Sequence, residues 1–374
     1  MDFTFTEEQQ MLLDTSRRFI QKDYGFEARR AILRDSPHGH GDKTWQGLAE
    51  LGLLALNVPE EHGGMNGNAI DTMLAMQAMG EGLVLEPFLA SAVLATRLLA
   101  TLGTPQQQAN LLPGLAAGES VAVLAHDEPS TRFDWQAVTT RAAQSGKGYK
   151  LSGHKSVVSH AANADLLLVS ARVGDSDALA IFVVPTSATG LRQLPYRTVD
   201  GSSASEVWLD GVEVDNDARI GGEADASAAL ADLQDWGLMA VCAEAIGALD
   251  RILAATVEYC RTRKQFGQPI ARFQALQHRM ADMVLHIEQA RSMSYLAAVR
   301  CTETDLALRR HSLSSAKVVV GQACRFVGQQ AVQLHGGMGM TDELDVSHYF
   351  KRLMAIELQF GSTDTHLERV ALAV

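Results

Sequence analysis

The stretch "RTRKQFGQPIARFQALQ", residues 261–277, interrupts a long apolar pattern with a cluster of cations. Arg261, Arg263 and Lys264 put positive charge at the end of a helix, where the helix dipole favours it. Gly267 and Pro269 then force a turn, and Phe273–Gln274 open the next helix. Cations at a helix end are ordinary dipole partners. Arginine also presents a planar fork that suits phosphate oxygens, so the same turn reads equally as an anion site. A second stretch, "QLHGGMGMTDEL" at 333–344, sharpens the choice. Gly336 and Gly337 either cap a helix or let backbone N–H groups approach a ligand closely. Gln333, on the last helical turn, can bond the same ligand. Together the two turns form a pyrophosphate cradle at the ends of adjoining helices.

Outward from these turns the chain falls into three sections. Residues 223–374 hold long helical patterns: "AALADLQDWGLMAVCAEAIGALDRILAATVEYCRTR" is apolar nearly all round, and its Ala and Gly residues allow close helix contacts. Helices over 273–300 and 313–335 follow, with a last one from about Asp364. Residues 119–222 change character: "SVAVLAH", "AVTTRAA", "YKLSGHKSVVS", "ADLLLVSARV", "LAIFVVP" and "SEVWLDGVEV" are short β-branched runs between turn residues, and predict an antiparallel β domain. Residues 1–118 are helical again, with Thr6 and Thr104 as helix starts.

The chain has 374 residues, 47% of them apolar, enough for a packed globular protein. Its net charge of −12 speaks against a nucleic-acid partner. No apolar run is long enough to span a membrane, and "MDFTFTEEQQ" has no signal-peptide pattern, so a cytoplasmic location is expected. Cys242, Cys260, Cys301 and Cys324 lack metal spacing and read as reduced, mostly buried thiols. No metal site is expected.

"RKQFGQPIARFQALQHRMADM" and "QLHGGMGMTDELDVSHYFKR", with "MDFTFTEEQQML", "LAELGLLALNVPEEHGG" and "GYKLSGHKSVVSHAANADLLLVSAR", resemble the acyl-CoA dehydrogenases along nearly the whole chain. The resemblance implies an α+β fold with an N-terminal helical domain, a middle β domain and a C-terminal four-helix domain. It implies FAD. It carries the FAD-binding role, across a dimer, onto Arg263, Gln265, Phe266, Gln274, Gln333, Gly336 and Gly337, with Ser159 at the flavin edge and Ser362 and Asp364 as weaker candidates. It also implies an acyl-CoA substrate and electron-transfer flavoprotein as acceptor.

The chemistry implied is α,β-dehydrogenation of an acyl-CoA thioester, in which a carboxylate removes the α-proton. Most of the family carries that base as a Glu before a Gly near the C-terminus. Here Phe360 stands in that place, before Gly361. A minority carries it on the long helix before the Arg turn, which falls on Gly237. The catalytic base is therefore unassigned. Glu244, seven residues on from Gly237, shares its helix face about two turns along, a displacement of ~10 Å. It reads as a buried structural acid or as a displaced base. The flavin-ring loop is also altered: the family's "TEPGAGSD" reads "HDEPSTRFD" at 126–134, and its Trp-Ile-Thr reads Val157-Val158-Ser159.

These departures resemble the small subunits of heteromeric members, such as pimeloyl-CoA and steroid-side-chain dehydrogenases, in which a sister chain keeps the base. The sequence thus leaves open a homo-dimer or tetramer, a heterotetramer with a sister chain, and a non-catalytic subunit that completes an FAD site or acts as a scaffold. The small residues of "LAMQAMGEGL" are compatible with a wide acyl cavity or with helix packing.

Overall fold

The computed structural model describes residues 4–146, 148–174 and 178–372. In chain order the first helices are α1 (Glu7–Asp23), α2 (Phe26–Asp35), α3 (Asp42–Glu50), α4 (Ala69–Gly82), α5 (Thr96–Leu102) and α6 (Pro105–Ala116). The strands β1 (Ala122–Ala125), β2 (Arg141–Ser145), β3 (Gly148–Ser159), β4 (Leu166–Val173), β5 (Leu179–Pro185), β6 (Leu191–Arg197) and β7 (Ser203–Asp215) follow. The chain then returns to helices α7 (Ser227–Thr262), α8 (Gln274–Arg300), α9 (Leu306–His335), α10 (Asp345–Leu358) and α11 (Thr363–Leu372), with the short hairpin β8 (Lys264–Gln265) and β9 (Gln268–Pro269) between α7 and α8. No described helix is long and apolar enough to cross a membrane.

The chain divides into two compact units, one of 1–29, 69–84 and 238–374 and one of 30–68 and 85–237. In the first, α1 packs on α4, and α9 packs against α8, α10 and α11. Thr6 starts α1 with a capping box: its hydroxyl accepts from the Gln9 N–H, and the Gln9 side chain accepts from the Thr6 N–H. Gly80 and Gly247 explain how α4 and α7 touch. A Cβ on Gly80 would lie 2.0 Å from the Glu244 carbonyl oxygen, and one on Gly247 would lie 1.9 Å from that of Gln77. Gly80 of α4 thus serves backbone contact between helices.

Arg29 is buried in this unit and donates to the Leu83 carbonyl at 2.9 Å and to His348 Nδ1 at 3.0 Å. A guanidinium only donates, so His348 accepts at Nδ1 and carries its proton on Nε2, which donates to the Asp342 carbonyl at 3.2 Å. Burial, with Arg29 adding to it, holds His348 below its ordinary range.

In the second unit a mixed sheet runs β1-β4-β2-β3-β7-β6, with β5 on β4. The pairings β2–β3, β3–β7, β4–β5 and β6–β7 are antiparallel, whereas β1–β4 and β2–β4 are parallel. The parallel pairs come from long-range return of the chain, which local alternation does not reveal. Thr104 starts α6 with a second capping box. The run "FLASAVLA" before α5 winds as a π-helix, Phe88–Ala95, rather than as the α-helix its composition suggests.

The buried histidines His126, His335, His348 and His366 share one titration sign. Burial is the main cause in each, and it pushes His126 down to about 3 and His366 to about 4, while His335 and His348 are also lowered. The unfolded chain therefore binds protons below about pH 6.5 that the folded chain does not. Stability is full above that pH and falls as the pH drops toward the folded values, by up to about 1.4 kcal/mol per pH unit for each histidine. Thermal melts at pH 7 and pH 5 should differ by roughly 5 °C or more. Equal melting temperatures would contradict this account of the four sites.

Candidate functional site

The last turn of α7 runs into a two-residue hairpin loop, because the backbone N–H of Arg263 still bonds Tyr259 and Ile270 N–H closes on the Arg263 carbonyl. Phe266 and Gly267 make that loop with φ of 52° and 80°. Two successive positive φ values are what a type I′ hairpin turn requires. Glycine takes this conformation freely, but a phenylalanine there costs about 1–2 kcal/mol. Phe266 is nonetheless 90% exposed, with its ring edge-on to Phe273 at 6.0 Å. A strained, uncovered aromatic points to a ligand or partner rather than to the chain's own core.

The Gly-Gly turn meets this hairpin. The Tyr259 hydroxyl donates to the His335 carbonyl at 3.3 Å, and the two rings stack at 4.3 Å. Arg279, on the first turns of α8, donates to Gln330 on α9 at 2.9 Å. The ends of α7 and α9 and the start of α8 are thus tied together. Gly336 has φ 61° and ψ −140°, open essentially to glycine alone. A Cβ on Gly337 would meet nothing, so its amide is approachable from solvent. Arg263, Gln265, Gln274 and Gln333 are exposed, and none of their side chains has a hydrogen-bond partner among the described residues. An unpaired guanidinium, three free amide side chains and bare glycine backbone fit a dinucleotide diphosphate, which needs fixed donors and no competing carboxylate. The sequence-derived residues of this unit therefore gather on one surface.

Ser159 lies in the other unit, at the exposed end of β3. Val157, two residues before it, is 52% exposed and has φ 52°, at a register shift between Lys155 and Val158. The adjoining loop is anchored by Glu128. One carboxylate oxygen accepts from the Thr140 N–H and hydroxyl and from Lys155 Nζ at 2.8 Å, and the other accepts from the Thr139 N–H and hydroxyl. Burial opposes the charge on Glu128, but Lys155 and the two threonines outweigh it and hold the carboxyl down at about 2. Lys155 is fully buried and also donates to Ser170 and to the His126 carbonyl. Glu128 is thus an anchor of the loop, and its survival in "HDEPSTRFD" has a structural reason.

The turn at 358–361 is built with equal care. Phe360 and Gly361 both take positive φ, 58° and 113°. His366 Nε2 donates to the Phe360 carbonyl at 2.9 Å, and Lys317 Nζ donates to the carbonyls of Gly361 and Glu357 at 2.8 Å each. Lys317 and His366 are completely buried. Residue 360 is therefore held rigidly, and its side chain is a half-buried phenyl ring with no acid–base chemistry.

Glu244 grips Arg352 through both oxygens, to Nε and to an Nη, at 2.6 Å each. Both side chains are largely buried, at 7% and 13% exposure. Its oxygens are committed to this pair, as the structural reading expects. Glu244→Gln leaves Arg352 buried without its counter-charge and should cost about 3–5 kcal/mol of stability. If instead the variant melted like the parent and lost only turnover, Glu244 would be a base and not an anchor. Gly237 is buried on α7 and has no side chain to act with.

The family models for the acyl-CoA dehydrogenase N-terminal, middle and C-terminal domains match residues 6–119, 124–212 and 232–374. The acyl-CoA dehydrogenase FadE27 of Mycobacterium tuberculosis is 30% identical over 381 residues, 99% of this chain and 98% of that protein. The chain belongs to the acyl-CoA dehydrogenase family. Among solved structures, the ChsE4-ChsE5 complex from Mycobacterium tuberculosis superposes with a TM-score of 0.90 at 28% identity, covering all of this chain and 98% of that one. A structure titled as an FAD-dependent dehydrogenase gives 0.87 at 26% identity, covering all of this chain and 99% of the other. The three-section layout and the α+β architecture accord with this membership.

Several supporting residues of this acyl-CoA dehydrogenase chain were not singled out by sequence. Arg352, Lys155 and Lys317 act through partners 15 to 108 positions away, and His366 bonds both Phe360, six positions away, and Ser314, 52 positions away. The one local signal was a cation inside an apolar helix, Lys317 in "SSAKVVV".

Proposed function

We propose that the chain is an FAD-binding acyl-CoA dehydrogenase subunit that works with a second chain supplying the proton-abstracting carboxylate. The supporting observation is a contrast within one molecule. The residues assigned to the diphosphate are exposed and carry no carboxylate among them, whereas the rigid turn that fixes residue 360 presents a phenyl ring. When bound, FAD supplies an acceptor for the hydride leaving the β-carbon. Arg263 and the amides of Gly336 and Gly337 hold the diphosphate, with Gln265, Phe266, Gln274 and Gln333 around it, and Ser159 donates to the flavin edge. Membership of the acyl-CoA dehydrogenase family implies that the dinucleotide held by these residues belongs to a neighbouring chain, which makes the smallest working form a dimer. The domains are 1–118, 119–222 and 223–374, the site is cytoplasmic, the substrate is an acyl-CoA thioester, and electron-transfer flavoprotein takes the electrons.

A heterotetramer is favoured over a homomer because Glu244, the remaining acid on α7 considered for the role, is bound by Arg352. Dye reduction with an acyl-CoA panel tests this. A general base contributes about 10²–10⁴-fold, so the isolated chain should turn over at under about 1% of the rate of the assembly co-purified from its host. Equal rates per flavin would overturn the two-chain reading. A flavin-free assembly would favour the scaffold instead.

A further inference from the structure

The loop following β1 lies against β3 at a defined point. Ser156 N–H donates to the Asp127 carbonyl at 2.8 Å, and the next residue, Glu128, is locked by five donors. The backbone at 127 is therefore fixed beside Ser156, three residues before Ser159 on β3. Its side chain is different. Asp127 is exposed, and its carboxylate has no hydrogen-bond partner among the described residues. An unpaired carboxylate, the exposed Val157 and the exposed Ser159 hydroxyl thus belong to one neighbourhood of β3.

We infer that Asp127 is a proton-holding acid beside the flavin, taking up one solvent proton when the bound FAD receives a hydride. This rests on the reading that Ser159 meets the flavin edge. A hydride brings two electrons and one proton, so it adds one negative charge to the bound group. A carboxylate close by becomes easier to protonate, and one proton from water restores the local charge. The electrons and the hydride come from the acyl-CoA, and no other reductant is needed.

The surroundings suit the role. Crowding by protein atoms strips water from the Asp127 carboxyl and pushes it up to about 6, with Lys155 opposing. The side chain still keeps accessible surface, and that surface is what allows proton exchange with water. The charged group acting on it is Lys155 from β3, and its chain neighbours are His126 and Glu128. Lys155 is already bound to Glu128, Ser170 and the His126 carbonyl, so it cannot close on Asp127 as a private partner. His126 stays neutral, its ring held by Ser170 and the Trp135 carbonyl, and Glu128 stays ionised. Burial lowers Lys155 to about 8, with Glu128 opposing, so Asp127 is the group of this cluster placed to change charge around pH 6.

The test is the flavin midpoint potential, measured from pH 5 to pH 8 by dye equilibration on the FAD-loaded protein as it assembles. The parent should show a break near pH 6, with the slope above it about twice that below, since one extra proton is bound per two electrons. The oxidised flavin spectrum should shift across the same pH. Asp127→Asn should remove both the break and the spectral shift while binding FAD normally, and Asp127→Ser should behave alike. An unchanged break in both variants, with FAD bound, would overturn the assignment of Asp127 alone. Failure of the parent to bind FAD would instead overturn the flavin reading, and this inference with it.

Discussion

Replacing Arg263 by Gln is expected to empty the protein of most of its FAD. A charge-assisted hydrogen bond to a phosphate contributes about 1.5–3 kcal/mol, so losing it weakens binding by roughly 10- to 150-fold. The chain itself should hardly notice, because the Arg263 side chain is exposed and bonds no described residue. A surface change of that kind stays within about 0.5 kcal/mol. The expected signature is therefore a colourless protein with a parental melting curve for the apo form. Arg263→Lys should retain part of the flavin, since it keeps the charge but not the planar fork. Full flavin content in Arg263→Gln would mean that the diphosphate lies elsewhere.

The second large effect is a gain. Phe360→Glu should give the isolated chain proton-abstracting ability, by about 10²-fold or more over the parent. The turn that holds residue 360 does not depend on its side chain: His366 and Lys317 bond main-chain carbonyls of Phe360, Gly361 and Glu357. Phe and Glu share the same left-handed strain, so the backbone has no reason to move. Exchange of the α-proton of acyl-CoA thioesters into heavy water reads this step without needing an electron acceptor. A folded, FAD-loaded variant that catalyses no exchange on any acyl-CoA accepted by the native assembly would remove position 360 from consideration as the base position. The double variant with Lys317→Met should lose the gain, because the turn is no longer held.

Much of the fold was legible because its signals are local. Thr6 with Gln9, and Thr104 with Gln107, each write a capping box within four residues, and both helices start there. The Arg turn and the Gly-Gly turn were legible for a similar reason: turn chemistry is carried by the residues that make the turn. Elements defined by distant partners were not. Strand β6, "LRQLPYR", alternates weakly and contains Pro195, which is tolerated because β6 is the last strand of the sheet order. Helix α10, "DVSHYFKRLMAIEL", was passed over between the glycines and the final helix, although its buried face, Val346, Tyr349, Leu353 and Ile356, follows helical spacing. The π-helix at Phe88–Ala95 has no sequence mark, since its composition suits an α-helix equally well.

The site divides along the same line. Arg263, Gln333 and Gly336, the residues proposed to hold the diphosphate, could be read from their own stretches. What Glu244 does could not, because Arg352 stands 108 residues away. Nor could sequence show that Phe360 sits on a turn fastened by a buried lysine and a buried histidine. A carboxylate and a phenyl ring differ in chemistry at that position, but the backbone that carries them is the same.

The most direct measurement is the flavin content of the protein purified with whatever chain accompanies it from its host. Stoichiometric FAD, lost on Arg263→Gln and accompanied by a second acyl-CoA dehydrogenase chain, is the result this account predicts. A well-folded assembly that neither carries FAD nor takes it up when supplied would contradict it.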